Sequence, residues 1–181
     1  METNGKQNTD NINDIGNSKS TRSYSTFRLD GKLFGIDILF VREINRQLEM
    51  TAVQHAPEFI QGLVNLRGQI VTVMDLSRRI GRMAQNITTE SHNMIIKTNS
   101  ELLPIQERED RPDLVSSNDM VGLLVESIGD VVTVKANEIS SPPANIGAFD
   151  GEYFSGVVKL DDDLMAVVDV QKVLAVAGSK N

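Results

Sequence analysis

The 181-residue sequence contains no cysteine and no tryptophan. Without thiols there are no disulfides, no thiolate metal ligands and no cysteine nucleophile, and the chain suits a reducing cytoplasm. Two histidines, His55 and His92, are too few for a histidine-rich metal site. Aromatic residues are only 4% of the chain, so the core has to be aliphatic, and its many Val and Ile residues favour strands. No apolar run approaches the roughly 20 residues of a membrane span, and the opening METNGKQNTDNINDIGNSKS lacks the apolar segment of a signal peptide. A formal charge of -7 repels polyanions and puts nucleic-acid binding last among the functions to consider. Phosphate-cradling glycine loops, HExxH and nucleophile-elbow motifs are missing. Asp161-Asp162-Asp163 lacks the ligand spacing of a calcium loop and reads as a solvated turn.

What the sequence does have is a repeat, organised around Gly62 to Leu76. Two apolar runs, Gly62–Leu66 and Ile70–Met74, flank Arg67-Gly68, and the second ends at Asp75, a helix-capping residue type. The pattern predicts strand, tight turn, strand and helix start. Ninety-four positions later it returns as Gly156–Leu160, a turn at Asp161–Asp163, then Leu164–Val168 and Asp169. At an offset of 87, Phe34-Gly35-Ile36-Asp37-Ile38 and Val41 match Val121–Val125 and Ile128. The offsets differ because Ile38 to Gly62 spans 24 positions and Val125 to Gly156 spans 31, as a longer loop in the second copy would give. Features present in both copies, such as Gly62, Leu66 and Asp75, therefore read as structural. Arg67 stands opposite an acidic turn, so the module does not require it.

In chain order, residues 1 to about 22 carry too little apolar surface to offset ordering entropy and are expected to be a disordered tail. Tyr24–Leu29 and Leu33–Ile38 form a hairpin around Asp30-Gly31. Ile38 to Ile44 fits either a helical turn or a strand. Met50–Val53 is expected to be a short strand, Ala56–Ile60 a helical turn led by Pro57, and Asp75 to Ile80 a helix stopped by Gly81. Met94–Ile96 is a buried strand. Glu101 to Asp119 holds six acids and two bases together with Pro104 and Pro112, and reads as a mobile acidic surface loop. Met120–Val125 and Val131–Val134 form strands around Gly129-Asp130, and Ser141 to Gly151 is an irregular connection. A last helix after Asp169 buries Val170, Val173, Leu174 and Ala177, ahead of a polar tail at 178–181. Many short strands with few helices predict a mainly β chain of two small β barrels packed together over residues 23–177.

The motifs Phe34-Gly35-Ile36-Asp37-Ile38, Val41-Arg42-Glu43-Ile44, Pro57-Glu58-Phe59-Ile60-Gln61-Gly62, Asn65-Leu66-Arg67-Gly68 and Asp75-Leu76, in this order, resemble the CheW family. The likeness continues through Gly122–Val134 and Glu152–Leu174. The sequence departs from the family pattern at Thr72, where proline is common, near Gln54-His55, and in the length of the acidic segment. The resemblance implies two five-stranded SH3-like β barrels with a shared hydrophobic core. It also implies a non-catalytic cytoplasmic bacterial adaptor, without cofactor or metal, in membrane-associated chemoreceptor arrays. Its partners would be the regulatory domain of a CheA-type histidine kinase and the cytoplasmic tip of methyl-accepting chemoreceptors. An adaptor of another pathway, such as pilus or surface motility, and a stand-alone peptide-binding module are the alternatives. A hydrolase using Asp37, Glu43 and Asp75 is a third class, and no oxyanion or phosphate element accompanies those acids.

Four residues are candidates for partner binding. Arg67 at a hairpin tip can pair bidentately with a partner's carboxylate. Glu43 corresponds to Asp130 in the second copy, so its acidity also has a structural reading. Val41 and Ile44 are candidates for an apolar patch facing a receptor helix, with the core as the competing destination.

Overall fold

A computed structural model describes residues 20–142, 145–146 and 149–175. The expected tails fall outside this range except for residues 20–22, of which Thr21 and Arg22 already belong to the first strand. Strands β1 (Thr21–Leu29) and β2 (Lys32–Asp37) join at Asp30-Gly31, and β4 (Ile60–Leu66) and β5 (Gln69–Asp75) at Arg67-Gly68. In both turns the two central residues have positive φ, 49° and 69° in the first, 53° and 85° in the second. That is the mirror-type hairpin turn, whose twist matches the flanking strands. Strands β12 (Phe154–Lys159) and β13 (Leu164–Val168) make the second copy of the organising hairpin. Short helices α1 (Leu76–Arg79) and α3 (Val170–Leu174) follow the two copies. Each is capped as expected, Asp75 accepting from the Arg78 amide at 3.2 Å and Asp169 from the Lys172 amide at 3.1 Å.

The remaining strands are β3 (Val41–Asn45), β6 (His92–Ile96), β7 (Val121–Val125), β8 (Ser127–Lys135) and β9 (Ile139–Ser140), with a small ribbon of β10 (Asn145–Ile146) and β11 (Phe149–Asp150). One sheet has the order β8-β1-β2-β13-β12-β9, the other β3-β6-β7-β5-β4. The mainly β, two-sheet architecture expected from the sequence is present, with strand counts of six and five. The sixth strand is the two-residue β9, and at the matching edge of the other sheet stands a single bridge, Thr51 to Leu63.

The parallel pairings show how the repeat is used. Val73 of β5 lies opposite Gly122 of β7, and Val167 of β13 lies opposite Gly35 of β2. Each hairpin therefore pairs with a strand of the other copy, so the two sequence repeats exchange strands and neither sheet is one repeat. Gly62 and Gly156 sit at equivalent register shifts. A Cβ at Gly62 would come 2.6 Å from the Thr51 carbonyl oxygen, and one at Gly156 would come 2.5 Å from a methyl of Ile139. Both copies need glycine because the edge segment crosses at van der Waals contact.

Three aliphatic clusters hold the fold. Each sheet curls around its own small set, Val64, Val71, Val73, Ile95 and Leu124 in one, Val134, Val158, Met165 and Val167 in the other. The largest cluster lies between the sheets, where the Phe27, Phe34 and Phe154 rings stack among Ile36, Met94, Leu123 and Val173. Leu66, Val73 and Val167 are buried, as expected of core residues.

Several local expectations are corrected. The acidic segment is not a mobile loop: Asn99–Glu109 form helix α2. The Glu101 carboxylate accepts from the Thr98 amide at 2.9 Å and its hydroxyl at 3.0 Å, fixing the first turn. Leu102 and Leu114 are completely buried in the main core, and Arg111 forks between Asp37 at 3.1 Å and Asp113 at 2.7 Å. Met50–Val53 supplies only the Thr51 bridge rather than a strand. After Pro57 there is one turn closed by the Ile60 amide on the Pro57 carbonyl at 2.8 Å, not a helix. Gly129-Asp130 lies inside a continuous β8 rather than between strands. The ambiguous stretch after Asp37 contains both elements in succession, a 3-10 turn over Ile38–Phe40 and then β3.

Candidate partner-binding site

The tip of the β4–β5 hairpin places Arg67 in the left-handed region, φ 53°, a conformation that costs a residue with a side chain roughly 1–2 kcal/mol. The Asn65 side-chain oxygen accepts from the Gly68 amide at 2.8 Å and holds the turn closed. Curling of the sheet brings this tip to β3, although Arg67 and Glu43 are far apart in sequence. The Arg67 guanidinium lies 3.2 Å from the Glu43 carboxylate, with side-chain exposures of 80% and 22%. Glu43 also accepts from the Asn45 side-chain amide at 3.1 Å. A part-buried carboxylate thus orients an almost fully exposed cation.

The two apolar candidates separate. Val41 is half-buried and packs against the main core, whereas Ile44 is 36% exposed and stands open to solvent. Ile70, two residues past the turn, is 61% exposed and places an aliphatic near the tip, whereas Ile44 alternates with Glu43 on β3 and leaves the strand on the opposite face. An exposed guanidinium three residues from the exposed Ile70 suits recognition of a protein surface that carries a carboxylate or carbonyl next to apolar groups.

Sequence reasoning missed a second arginine here. Arg42 donates to the Gln69 side-chain oxygen at 3.2 Å, at the foot of the same turn, and lies 3.5 Å from the Glu101 carboxylate of α2. Its counterpart in the other copy is Gly129, so the comparison that flagged Arg67 would have flagged Arg42 as well. On the other side of β3, Lys97 donates to the carbonyls of Leu39 at 2.9 Å and Val41 at 2.6 Å. Burial pushes the Lys97 ammonium below its ordinary range, against the pull of Glu101 and Asp37. Burial works to raise Glu101, but hydrogen bonds from Thr98 and the charges of Arg42 and Lys97 outweigh it and hold the carboxyl below its usual range.

The acids considered for hydrolysis are committed elsewhere. Asp37 accepts from the Leu39 amide and from Arg111. Asp75 is fully buried and accepts from the Arg78 amide, the Gln61 side chain and both amides of Gln85. Glu43 is paired with Arg67.

Known proteins share this architecture and sequence. The chain is 29% identical over 154 residues to the chemotaxis protein CheW of Klebsiella aerogenes, covering 85% of this chain and 82% of that one. It is 27% identical over 156 residues to the chemotaxis protein CheW of Bacillus subtilis, covering 86% and 88%. The crystal structure of the scaffolding protein TtCheW from Thermoanaerobacter tengcongensis superposes with a TM-score of 0.72 at 25% identity, over 90% of this chain and 98% of that one. Residues 23–178 match the CheW-like domain, and the chain belongs to that family.

Proposed function

We propose that this protein is a non-catalytic chemotaxis adaptor that couples chemoreceptors to a CheA-type histidine kinase and helps to scaffold their array at the cytoplasmic face of the membrane. Residues 23–177 form the adaptor unit. The observation that carries the site assignment is the exposed Arg67 guanidinium, held in place by Glu43 on a strained turn that the second copy builds without arginine. The mechanism is geometric: by fixing the kinase relative to the receptor, the adaptor lets receptor conformation shift the kinase's active population. Among the described residues no helix is long and apolar enough to cross a membrane, so attachment to the array runs through protein partners in this reading.

The test is kinase autophosphorylation with receptor-containing membranes, without the protein, with wild type and with Arg67→Ala. Wild type is expected to make kinase activity depend on the receptor. Arg67→Ala is expected to weaken one interface by about 1–4 kcal/mol. Equal coupling by both forms would remove Arg67 from the site, and failure of both to couple would remove the adaptor function.

A further inference from the structure

The feature that the proposed function leaves unused is α2 with its flanking segments, residues 97–120. In the first repeat the equivalent connection is the tight Asp30-Gly31 turn. Thr26 faces Gly35 across that hairpin, nine positions away, whereas Ile95 faces Gly122 across 27 positions. Core sealing accounts for Leu102 and Leu114. It does not account for the polar contacts of Lys97, Glu101 and Met120, which reach β3, the turn just before it and, through Arg42, the foot of the hairpin tip.

Those contacts grip β3 from two sides. Lys97, at the start of the insertion, holds the carbonyls of Leu39 and Val41, and its own carbonyl accepts from Ser116 at 2.6 Å near the insertion's end. Glu101, fixed in the first turn of α2, faces Arg42, whose other nitrogens reach Gln69 and, at 3.5 Å, the Met120 sulfur. Arg42 therefore links the insertion to the β5 end of the turn that carries Arg67, while its chain neighbour Glu43 grips Arg67 itself. The side chains of Arg42 and Glu101 are 31% and 35% exposed, so the link is neither buried core nor free surface.

From this juxtaposition we infer that Arg42 and Glu101 are positioning residues for the partner-binding site: the α2 insertion acts as a splint that sets β3 against the hairpin tip and fixes where the Arg67 guanidinium points. The inference deepens the adaptor reading and rests on it for the identity of the site. Without the Arg42–Glu101 link, β3 and the tip retain their backbone pairing but lose the lateral restraint between Gln69 and α2. The Arg67 side chain then samples more orientations, and a partner has to order it on binding.

The experiment uses the full chain in five forms: wild type, Arg42→Gln, Arg42→Lys, Glu101→Gln and Arg67→Ala. Two readouts are taken, affinity for the regulatory domain of a CheA-type kinase and amide hydrogen exchange at Glu43 and Gly68. Each single neutralisation is expected to weaken binding about 2- to 5-fold, the range of a partly exposed pair, and to speed exchange at both amides. Arg42→Lys, which keeps a cation beside Glu101 and leaves the Thr98–Glu101 cap intact, is expected to recover both in part, and the faster exchange is expected at Glu43 and Gly68 rather than across the fold, which a merely stabilising role would not confine. If the two neutralised variants match wild type in both readouts while Arg67→Ala weakens binding, the splint is refuted and the site stands. If Arg67→Ala leaves binding unchanged, the site assignment falls. Exchange at Glu43 and Gly68 then decides the splint by itself, unaltered rates in Arg42→Gln and Glu101→Gln refuting it and faster rates with partial recovery in Arg42→Lys upholding it.

Discussion

Arg79, on α1, is the place where the fold's mechanical integrity can be tested with one substitution. Its Nε donates to the Val173 carbonyl at 2.7 Å, one terminal nitrogen to the Tyr153 hydroxyl at 3.0 Å, and the other to the carbonyls of Lys172 at 3.1 Å and Ala175. The guanidinium also lies 4.9 Å from the ring centres of Phe59 and Tyr153. These two aromatics are equivalent positions of the two repeats, 94 apart, so one cation bridges both copies and satisfies the last carbonyls of α3. Hydrogen bonds to a charged group contribute about 1.5–3 kcal/mol each when well shielded, and each cation–π contact about 0.5–2 kcal/mol. The site is only part-buried and water can replace some of these bonds, so we expect Arg79→Ala to cost about 3 kcal/mol and Arg79→Lys, which keeps charge but loses the planar fork, about half that. For a chain of this size the alanine loss corresponds to a fall in Tm of roughly 6–12 °C. Equilibrium urea unfolding gives the free energies, with hydrogen exchange of α3 as a local check. A loss below about 1 kcal/mol for Arg79→Ala, or a lysine variant indistinguishable from wild type, would refute the clamp.

Two further outcomes follow from geometry already described. Gly62→Ala should cost about 3 kcal/mol and Gly156→Ala about 2 kcal/mol in the same unfolding assay: the first collides with the Thr51 backbone oxygen, the second with the Ile139 Cγ2 methyl, which is held at a β-branch and yields only by χ1 rotation. Losses within about 0.5 kcal/mol of zero at both positions would show that the edge crossing is not what demands glycine. Glu101 and Asp113 are held below their ordinary values of 4.5 and 3.8, the first against its own burial by hydrogen bonds from Thr98 and the charges of Arg42 and Lys97, the second chiefly by hydrogen bonding to Arg111. Carboxyls with depressed folded values contribute stability that is complete above the ordinary range and is lost as pH falls through the folded values. Tm followed from about pH 6 to about pH 3 should therefore fall, and Glu101→Gln should flatten part of that slope; an unchanged slope would exclude Glu101 as a contributor.

What the sequence disclosed depended on whether the signal was local. Both copies of the hairpin, their turns and the Asp75 and Asp169 caps were legible because turn chemistry, alternation and capping act over a few residues. Helix α2 was hidden by Pro104 and by acids that mimic a solvated loop, yet Thr98 and Glu101 at capping-box spacing before Leu102 and Ile105 carried a usable signal. Strand exchange between the repeats could not be read at all, because a repeat has the same internal pattern whichever copy it pairs with. At the candidate site, the sequence singled out Arg67 and Glu43 separately and did not disclose their ion pair, since only the curling of a whole sheet brings β3 to the tip. Arg42 was passed over because an arginine on a strand looks like ordinary surface until its neighbours are known.

The strand exchange also sets an order of events during synthesis. All five strands of one sheet lie between Val41 and Val125, so that sheet is complete in the chain once Val125 has emerged from the ribosome. The hairpin β1–β2 is made earlier than any of them, yet its neighbours β8 and β13 both follow Val125, with Val167 facing Gly35 only when the second copy is nearly finished. Hairpin β1–β2 thus lacks its parallel neighbour, and Phe34 its stacking partner Phe154, until β12 and β13 have been made. Truncation between Val125 and Leu164 leaves one sheet with all its strands and the other without β13 at its centre, a product that chaperones and proteases would meet as a half-made molecule rather than as a shorter adaptor.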